Sequence, residues 1–406
     1  MDLASPEIMI VAGEASGDAH AAELIAALRQ LHPPLRFFGC GGERMAAAGC
    51  ELLVSSSELA VMGLVEVLAH LPRLHRLWRR LRQALLQRRP RGLILVDFPD
   101  FNLRLAAAAR AASIPVVYFV SPQIWAWRRR RVKLIRRDVA RMICIFPFEQ
   151  AFYARQGLEV ASVGHPLVER VERARASLPS APAWRARLGA APAAELIALL
   201  PGSRQRELDF HLPVLLAAAA QLRQASAAPP PEFVLPVAPH LSAAAIAAAL
   251  PPALAPFLHL VPAAELYPAL AHARLAFVAS GTATVETALL ATPMVVVYRL
   301  SPLSYRLGRR LVRTPHVAMV NLIAERAVVP ELLQADLHPA ALLAWAQRLL
   351  PDTAERRQML ADLAQVRLRL GPPGAIARAA AEVAATLHLP PSPGTPAPAA
   401  ARLYSI

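Results

Sequence analysis

At 406 residues, 55% of them hydrophobic and 18% charged, the chain is long enough for two ordinary domains with packed cores and too apolar to be disordered. Its formal net charge of +15 draws anionic partners: nucleic acid, anionic lipid or phosphorylated substrates. Three scattered cysteines, Cys40, Cys50 and Cys144, exclude a disulfide framework and a cysteine zinc site, and fit a reducing compartment. No basic region precedes Ile8-Met9-Ile10-Val11, that run is too short for a secretory signal, and no long apolar stretch offers a transmembrane helix. A cytoplasmic protein that meets a membrane from its surface is the expectation.

Ile8 to Ala12 reads as a strand that breaks at Gly13-Glu14-Ala15-Ser16-Gly17-Asp18, after which Ala21, Leu24, Ile25 and Leu28 recur at helical spacing. This corner is not a Walker P-loop, because no Gly-Lys-Ser/Thr follows. Helix capping accounts well for Asp18 and less well for Glu14, so Glu14 and its neighbour Gly13 are candidate site residues. Phe37 to Met45 repeats the pattern with Gly39, Gly41 and Gly42, which either let a ligand approach the backbone or simply make a tight turn.

From Glu58 to Leu86 the chain becomes amphipathic. Val61, Met62, Leu64, Val65, Val67 and Leu68 are nearly continuous, and a helix is expected to start at Pro72. Leu74, Leu77, Trp78, Leu81 and Leu85 share one face of it, interleaved with Arg73, Arg76, Arg80 and Arg82. That suits an interfacial membrane helix beside an acyl-chain surface, and an ordinary helix packed on a sheet has the same pattern. Leu93 to Val96 is a buried strand running into Asp97-Phe98-Pro99-Asp100-Phe101-Asn102. Carboxylates beyond the C-terminal end of such a strand are positioned for chemistry, and one of the two aspartates is a candidate general base on a hydroxyl. Loop fixing and capping describe Asp97 and Asn102 better than Asp100.

Val116 to Val120 gives a further strand, followed by Ser121-Pro122-Gln123-Ile124-Trp125-Ala126-Trp127 and the basic run Arg128 to Lys133 with Arg136 and Arg137. Trp125 and Trp127 beside that charge suit a membrane, a phosphorylated lipid head or nucleic acid, and no zinc finger, helix-turn-helix or RNA-binding signature supports the last. Ile143 to Glu149 supplies a strand, Val163-Gly164-His165-Pro166 closes the first half, and the Ala/Pro/Arg-rich stretch 176–194 reads as a linker with a short helix.

The second half opens with the strand Leu196 to Leu200, then Pro201-Gly202, with Ser203 as the expected N-cap of the next helix. A strand, loop and helix corner turns free N–H groups and the positive end of the helix dipole outward, which suits a phosphate, and Arg204 adds a permanent cation for a diphosphate. An ordinary turn with a solvated arginine is the plainer alternative. Beyond the strand Phe233 to Ala238 and an Ala-rich helix, Leu275 to Ala279 enters Ser280-Gly281-Thr282-Ala283-Thr284 and a helix bearing Glu286. A carboxylate there can take the two hydroxyls of a ribose, or simply favour the positive helix end. Pro293 to Tyr298 is the next strand, Arg306, Arg309, Arg310 and Arg313 form a second basic patch, and Asn321 follows. Residues 371–388 read as a C-terminal helix and 389–406 as a disordered tail.

This alternation argues for an α/β protein of two Rossmann-like domains, residues 1–175 and 195–370, facing each other across a cleft. Over almost its whole length the chain resembles the lipid-A-disaccharide synthases. The resemblance rests on Ala12 to Asp18, Gly39-Cys40-Gly41-Gly42, Met62 to Val67, Pro99-Asp100-Phe101-Asn102, Ser121 to Trp127, Phe146-Pro147-Phe148-Glu149, Gly164-His165-Pro166, Leu200 to Arg204 and Ser280 to Glu286. Ser-Pro-x-x-Trp-Ala-Trp and Pro-Asp-Phe-Asn are the family-specific elements, whereas Leu-Pro-Gly-Ser-Arg also occurs in related sugar-nucleotide enzymes. The resemblance implies a GT-B glycosyltransferase that joins UDP-2,3-diacylglucosamine to 2,3-diacylglucosamine 1-phosphate (lipid X) with inversion, giving a β(1→6) disaccharide and UDP. It implies Asp100 as base and Arg204 on the diphosphate, aided by amides at Gly202, Ser203 and Ser280 to Thr282. Glu286 is then expected on the ribose, Asn321 near the donor, and Glu14 with Gly13 on the acceptor side. Met62, Val65, Leu68, Arg73, Arg76, Trp78, Arg80, Trp125 and Trp127 are the expected acceptor and membrane surface, on the inner face of a cytoplasmic membrane. No cofactor, metal or nucleic acid is expected. Another UDP-sugar enzyme of similar fold, such as an epimerase or a transferase to a different lipid, and a non-catalytic membrane-binding module are the rival readings.

Overall fold

The computed structural model describes residues 6–59, 64–226, 229–302, 305–306 and 314–389, with residues 64–71 and Trp127 described in their backbone alone. Internal contacts divide the chain into two compact units: one runs to Pro166 and resumes at Pro373, the other is Leu167–Pro372.

The first unit is built on seven strands, β1 (Glu7–Ala12), β2 (Arg36–Gly41), β3 (Cys50–Ser55), β4 (Gly92–Val96), β5 (Val116–Phe119), β6 (Arg141–Cys144) and β7 (Ala161–Ser162). All pair in parallel, in the order β3-β2-β1-β4-β5-β6-β7. Such strands are covered on both faces, which is why their sequences are continuous apolar runs. Alternate residues serve the two cores: Met9, Val11, Leu93 and Leu95 point into one, Ile8, Ile10, Ile94 and Val96 into the other. Leu77, Leu81 and Leu85 of the helix Leu64–Arg88 pack into the first core. Leu24, Ile25 and Leu28 of the helix Ala15–Leu31 pack into the second.

The chain returns to this second face with the helix Ala375–Thr386, which lays Ala379, Ala380, Val383 and Leu387 on the sheet. Burial of Val383 and Leu387 contributes roughly 3–6 kcal/mol. Arg141 Nε pairs with Glu382 at 2.8 Å and Arg378 Nε donates to the Val163 carbonyl at 3.0 Å, fixing the register of the returning helix.

The second unit holds six parallel strands, β8 (Leu196–Leu200), β9 (Glu232–Val237), β10 (Leu258–Pro262), β11 (Leu275–Ala279), β12 (Met294–Tyr298) and β13 (Glu331–Leu333), in the order β10-β9-β8-β11-β12-β13. In each sheet the strand order reverses once, between β1 and β4 and between β8 and β11. Loops leaving the C-terminal ends of such a pair diverge and open a crevice, so these two points are where ligands gather in α/β sheets.

Several expectations change here. Pro72 does not begin a helix: it lies inside Leu64–Arg88, which gives up one backbone hydrogen bond there and keeps its apolar face on the core. Residues 147–149 are helix rather than strand, since β6 ends at Cys144 and Pro147–Ala154 follows. The segment 176–194 holds the helix Ala181–Leu188, whose Trp184 is completely buried and bonded through Nε1 to Glu265 at 2.8 Å, so it belongs to the second unit and is not a bare linker. The glycines within and just after β2 make room for the protein itself. A Cβ on Gly39 would meet the Ile10 carbonyl oxygen at 2.0 Å, and one on Gly42 would meet Asp18 at 2.8 Å. Asp18 caps not its own helix but Glu43–Ala47, accepting from the amides of Gly42 (2.6 Å), Arg44 and Met45 (both 3.2 Å).

Candidate active site

Ala12 pairs with Val96, so Gly13-Glu14 and Asp97 to Asp100 leave the first sheet side by side at its point of reversal. Gly13 is pressed against Phe98, whose ring would lie 2.6 Å from a Cβ at that position. Asp97 and Phe98 both have positive φ, 46° and 50°, a conformation rare outside glycine. Their turn is held by buried Asn102, whose Nδ2 donates to the carbonyls of Val96 (3.2 Å) and Asp97 (2.8 Å), and by the Tyr118 hydroxyl on the Asp97 carbonyl at 2.5 Å. Asn102 is thus a loop-fixing residue.

The two aspartates meet different surroundings. Burial pushes the Asp97 carboxyl up to about 7, and the charge of Glu14 adds to the shift, against a hydrogen bond from the Phe98 amide. Asp100, in the first turn of the helix Pro99–Ala111, has 65% of its side chain exposed. Its Oδ1 accepts from Arg128 at 2.5 Å and also from Arg131. Glu14 occupies the N-cap position of Ala15–Leu31 with its side chain exposed and makes no capping bond.

In the second unit Leu200 pairs with Val278, which sets the Pro201 to Arg204 loop beside the corner Ser280 to Thr282. The helix after β8 starts at Gln205, so Arg204 and not Ser203 is its N-cap. Glu207 reaches back over the loop: its Oε2 accepts from the amides of Ser203 (2.9 Å) and Arg204 (3.3 Å), and its Oε1 lies 3.8 Å from the Arg204 guanidinium. The Ser203 amide expected to face a phosphate is therefore already taken. Gly202, at φ 122°, is required twice over, because a Cβ would also sit 2.4 Å from Glu207.

One turn further along the same helix, buried His211 grips the other end of the loop. Its Nδ1 is 2.6 Å from the Pro201 carbonyl oxygen and its Nε2 accepts from the Arg299 amide at 2.9 Å. An amide only donates, so the ring proton sits on Nδ1. Burial holds this imidazole below the usual histidine range and hence neutral. Arg299 in turn ties into the carbonyl of Gln334 at 3.0 Å, so the loops after β8, β12 and β13 are linked.

At the β11 corner the Ser280 hydroxyl donates to the Val317 carbonyl at 3.0 Å and its amide to Val297 at 3.1 Å. Gly281 (φ 154°) leads into the helix Thr282–Leu289, whose Thr284 amide donates back to the Gly281 carbonyl at 3.1 Å. Glu286 is half-buried and accepts from the Tyr267 hydroxyl at 3.0 Å. Asn321 departs from its expected role. It is fully buried, its Nδ2 donates to the Val329 carbonyl (2.9 Å) and Glu331 (2.8 Å), and its Oδ1 accepts from the amides of Val328 (2.8 Å) and Val329 (3.0 Å). All four bonding positions are used within the loop, leaving none for a donor.

On the expected acceptor and membrane surface, Arg73, Arg76 and Arg80 are exposed and Trp78 is half-buried against the core, under Arg82 at 5.9 Å. Trp125 is no surface anchor: it is buried edge-on against Phe148, ring centroids 4.8 Å apart. Met62 lies outside the described residues, as do the side chains of Val65, Leu68 and Trp127 and the patch residues Arg309, Arg310 and Arg313. Among the described residues no helix is long and apolar enough to cross a membrane, and no group of His, Cys, Asp or Glu has the arrangement of a metal site.

Four groups that matter here were not foreseen: Glu207, His211, Tyr267 and the Arg128–Arg131 pair on Asp100. Glu207 had a local signal, an acid at the third helical position that bonds back to the N-cap. The others are long-range contacts with none.

Two parallel α/β sheets, each with its glycine corners at the point of reversal, are the architecture of GT-B glycosyltransferases and of the epimerases that share it. Solved structures agree on the fold. A putative UDP-N-acetylglucosamine 2-epimerase from Listeria monocytogenes matches with a TM-score of 0.62 at 13% identity, covering 95% of this chain and 97% of that one. The calicheamicin glycosyltransferase CalG4 matches with 0.55 at 19%, covering 95% and 98%. A family profile described as lipid-A-disaccharide synthetase matches residues 8–379. The lipid-A-disaccharide synthase of Acidobacterium capsulatum is 46% identical over 92% of this chain and 94% of its own. That of Myxococcus xanthus is 46% identical over 93% and 97%. The chain belongs to the lipid-A-disaccharide synthase family, and it is a glycosyltransferase.

Proposed function

We propose that the chain joins UDP-2,3-diacylglucosamine to 2,3-diacylglucosamine 1-phosphate, giving the β(1→6) tetraacyl disaccharide 1-phosphate and UDP. The donor is α-linked, so one displacement inverts its anomeric carbon. The acceptor 6-hydroxyl oxygen bonds to that carbon as the bond to UDP breaks; the hydroxyl proton passes to a carboxylate and the departing electron pair to the diphosphate. Asp100 is the base. Arg204, with the amides of Gly281 and Thr282 at a helix N-terminus, takes the charge that develops on the diphosphate. Glu286, steadied by Tyr267, receives the ribose, and Glu14 with Gly13 borders the acceptor. Asn321 ties its own loop and contacts no substrate.

The exposed Arg73, Arg76 and Arg80 draw the first unit to an anionic membrane surface, where both lipid substrates reside. What supports the reading most is that Asp100, in the first turn after β4, and Arg204, at the N-cap after β8, each follow a strand at a point of strand-order reversal, in a chain of this family. Asp100→Asn is expected to abolish turnover and keep UDP affinity, while Arg204→Ala weakens UDP binding. Lost UDP affinity in the first variant, or full affinity in the second, contradicts these roles.

A further inference from the structure

Asp100 is held from one side. Arg128 and Arg131 both donate to the same oxygen, Oδ1, and the second carboxylate oxygen, Oδ2, is the one whose lone pairs serve a substrate hydroxyl. The arginines follow the short helix Ile124–Trp127, Arg128 as its C-cap and Arg131 at the end of the 3-10 turn Arg129–Arg131, and Arg131 has only 15% of its side chain exposed although the carboxylate it holds is 65% exposed. A guanidinium this covered, whose ion-pair partner is an exposed carboxylate, is not there for a surface salt bridge, which contributes little. Two guanidiniums converge on one carboxylate oxygen, on the side where Asp100 meets solvent. Paired guanidiniums match the oxygens of a phosphate better than a single carboxylate oxygen does.

We infer that Arg128 and Arg131 bind the phosphate of the acceptor sugar, and that Asp100 holds their place until it arrives. The arriving phosphate is held by the two guanidiniums beside Asp100, whose other oxygen, Oδ2, accepts the 6-hydroxyl proton. Acceptors without the phosphate lack this anchor next to the base, so the pair sets acceptor specificity. The inference rests on Asp100 being the base and on a phosphorylated sugar acceptor.

The test compares acceptor 2,3-diacylglucosamine 1-phosphate with the same lipid lacking phosphate, in one detergent, for the wild type, Arg128→Ala, Arg131→Ala and Arg131→Lys. Wild type is expected to lose at least about tenfold in kcat/KM without the phosphate, the scale of a charge-assisted hydrogen bond. Arg128→Ala and Arg131→Ala lose a similar factor on the phosphorylated acceptor and little further on the other, Arg131→Lys recovers part of it, and UDP affinity stays unchanged throughout. An equal loss on both acceptors makes the arginines mere supports of Asp100 and overturns the proposal, as does a loss of UDP affinity, which assigns them to the donor. A wild type that turns over neither acceptor overturns instead the reading on which this rests.

Discussion

His211→Ala removes a side chain that touches no proposed substrate group, yet the geometry makes it a test of how the Arg204 loop is held. The imidazole bonds the Pro201 carbonyl and the Arg299 amide at 2.6 and 2.9 Å from a fully buried position. Alanine leaves both groups unpartnered inside the protein at about 1–3 kcal/mol each, so a loss of about 2–6 kcal/mol is expected before any cavity cost. His211→Asn keeps a donor near Pro201 and His211→Gln an acceptor near Arg299, and each should recover roughly half. The charges facing the ring, Glu207 and Arg299, pull in opposite directions, and burial decides the outcome, a neutral imidazole in the folded state. The unfolded chain takes a proton below about 6.5 and the folded one does not, so the stability His211 contributes is present above that pH and is lost as the pH falls. Denaturant unfolding at pH 7.5 and 5.5 measures both effects: the advantage of wild type over His211→Asn should shrink at the lower pH. A cost under about 0.5 kcal/mol for alanine, or a gap to asparagine that ignores pH, refutes the reasoning.

Other substitutions follow from the same contacts. Gly202→Ala strains a residue at φ 122° and drives a methyl into Glu207, so UDP affinity should fall along with stability, as calorimetry and thermal unfolding would show. Gly13→Ala puts a methyl 2.6 Å from the Phe98 ring, costing about 1–3 kcal/mol and displacing the turn that carries Asp100; turnover should drop while UDP titration is unaffected. Buried Glu149 is pushed up to about 8, chiefly by burial, and accepts from the amides of Ile145 and Phe146, which a glutamine oxygen can also do. A carboxyl raised above its unfolded value loses stability as the pH climbs from about 4.5 through 8, so Glu149→Gln should be the more stable protein at pH 8.5 and the difference should close by pH 5.

The central strands were readable because a strand covered on both faces must be apolar at every position, as in Leu93 to Val96 and Leu275 to Ala279. Four strands went unread, β3, β7, β10 and β13, and all four lie at sheet edges. Their residues are partly exposed, so Cys50 to Ser55 and Leu258 to Pro262 carry polar residues or proline that blur the run. The corners were legible for a local reason: glycine and proline after an apolar run mark a turn whatever the tertiary structure. What a corner's amides bind is not local. Glu207 over Ser203 and Asp18 over Gly42 each fill with a carboxylate a corner that looks from sequence open to a ligand. Asn321 and Trp125 misled because burial, not residue type, decides whether an amide or an indole meets a ligand or the core.

The most direct test of the central claim is UDP release from UDP-2,3-diacylglucosamine, with and without lipid X, in detergent containing EDTA. Release that depends on lipid X, persists with EDTA and accompanies a β-linked disaccharide is the predicted result. UDP that binds but is not released when lipid X is added, or is released equally without it, contradicts the proposed transfer.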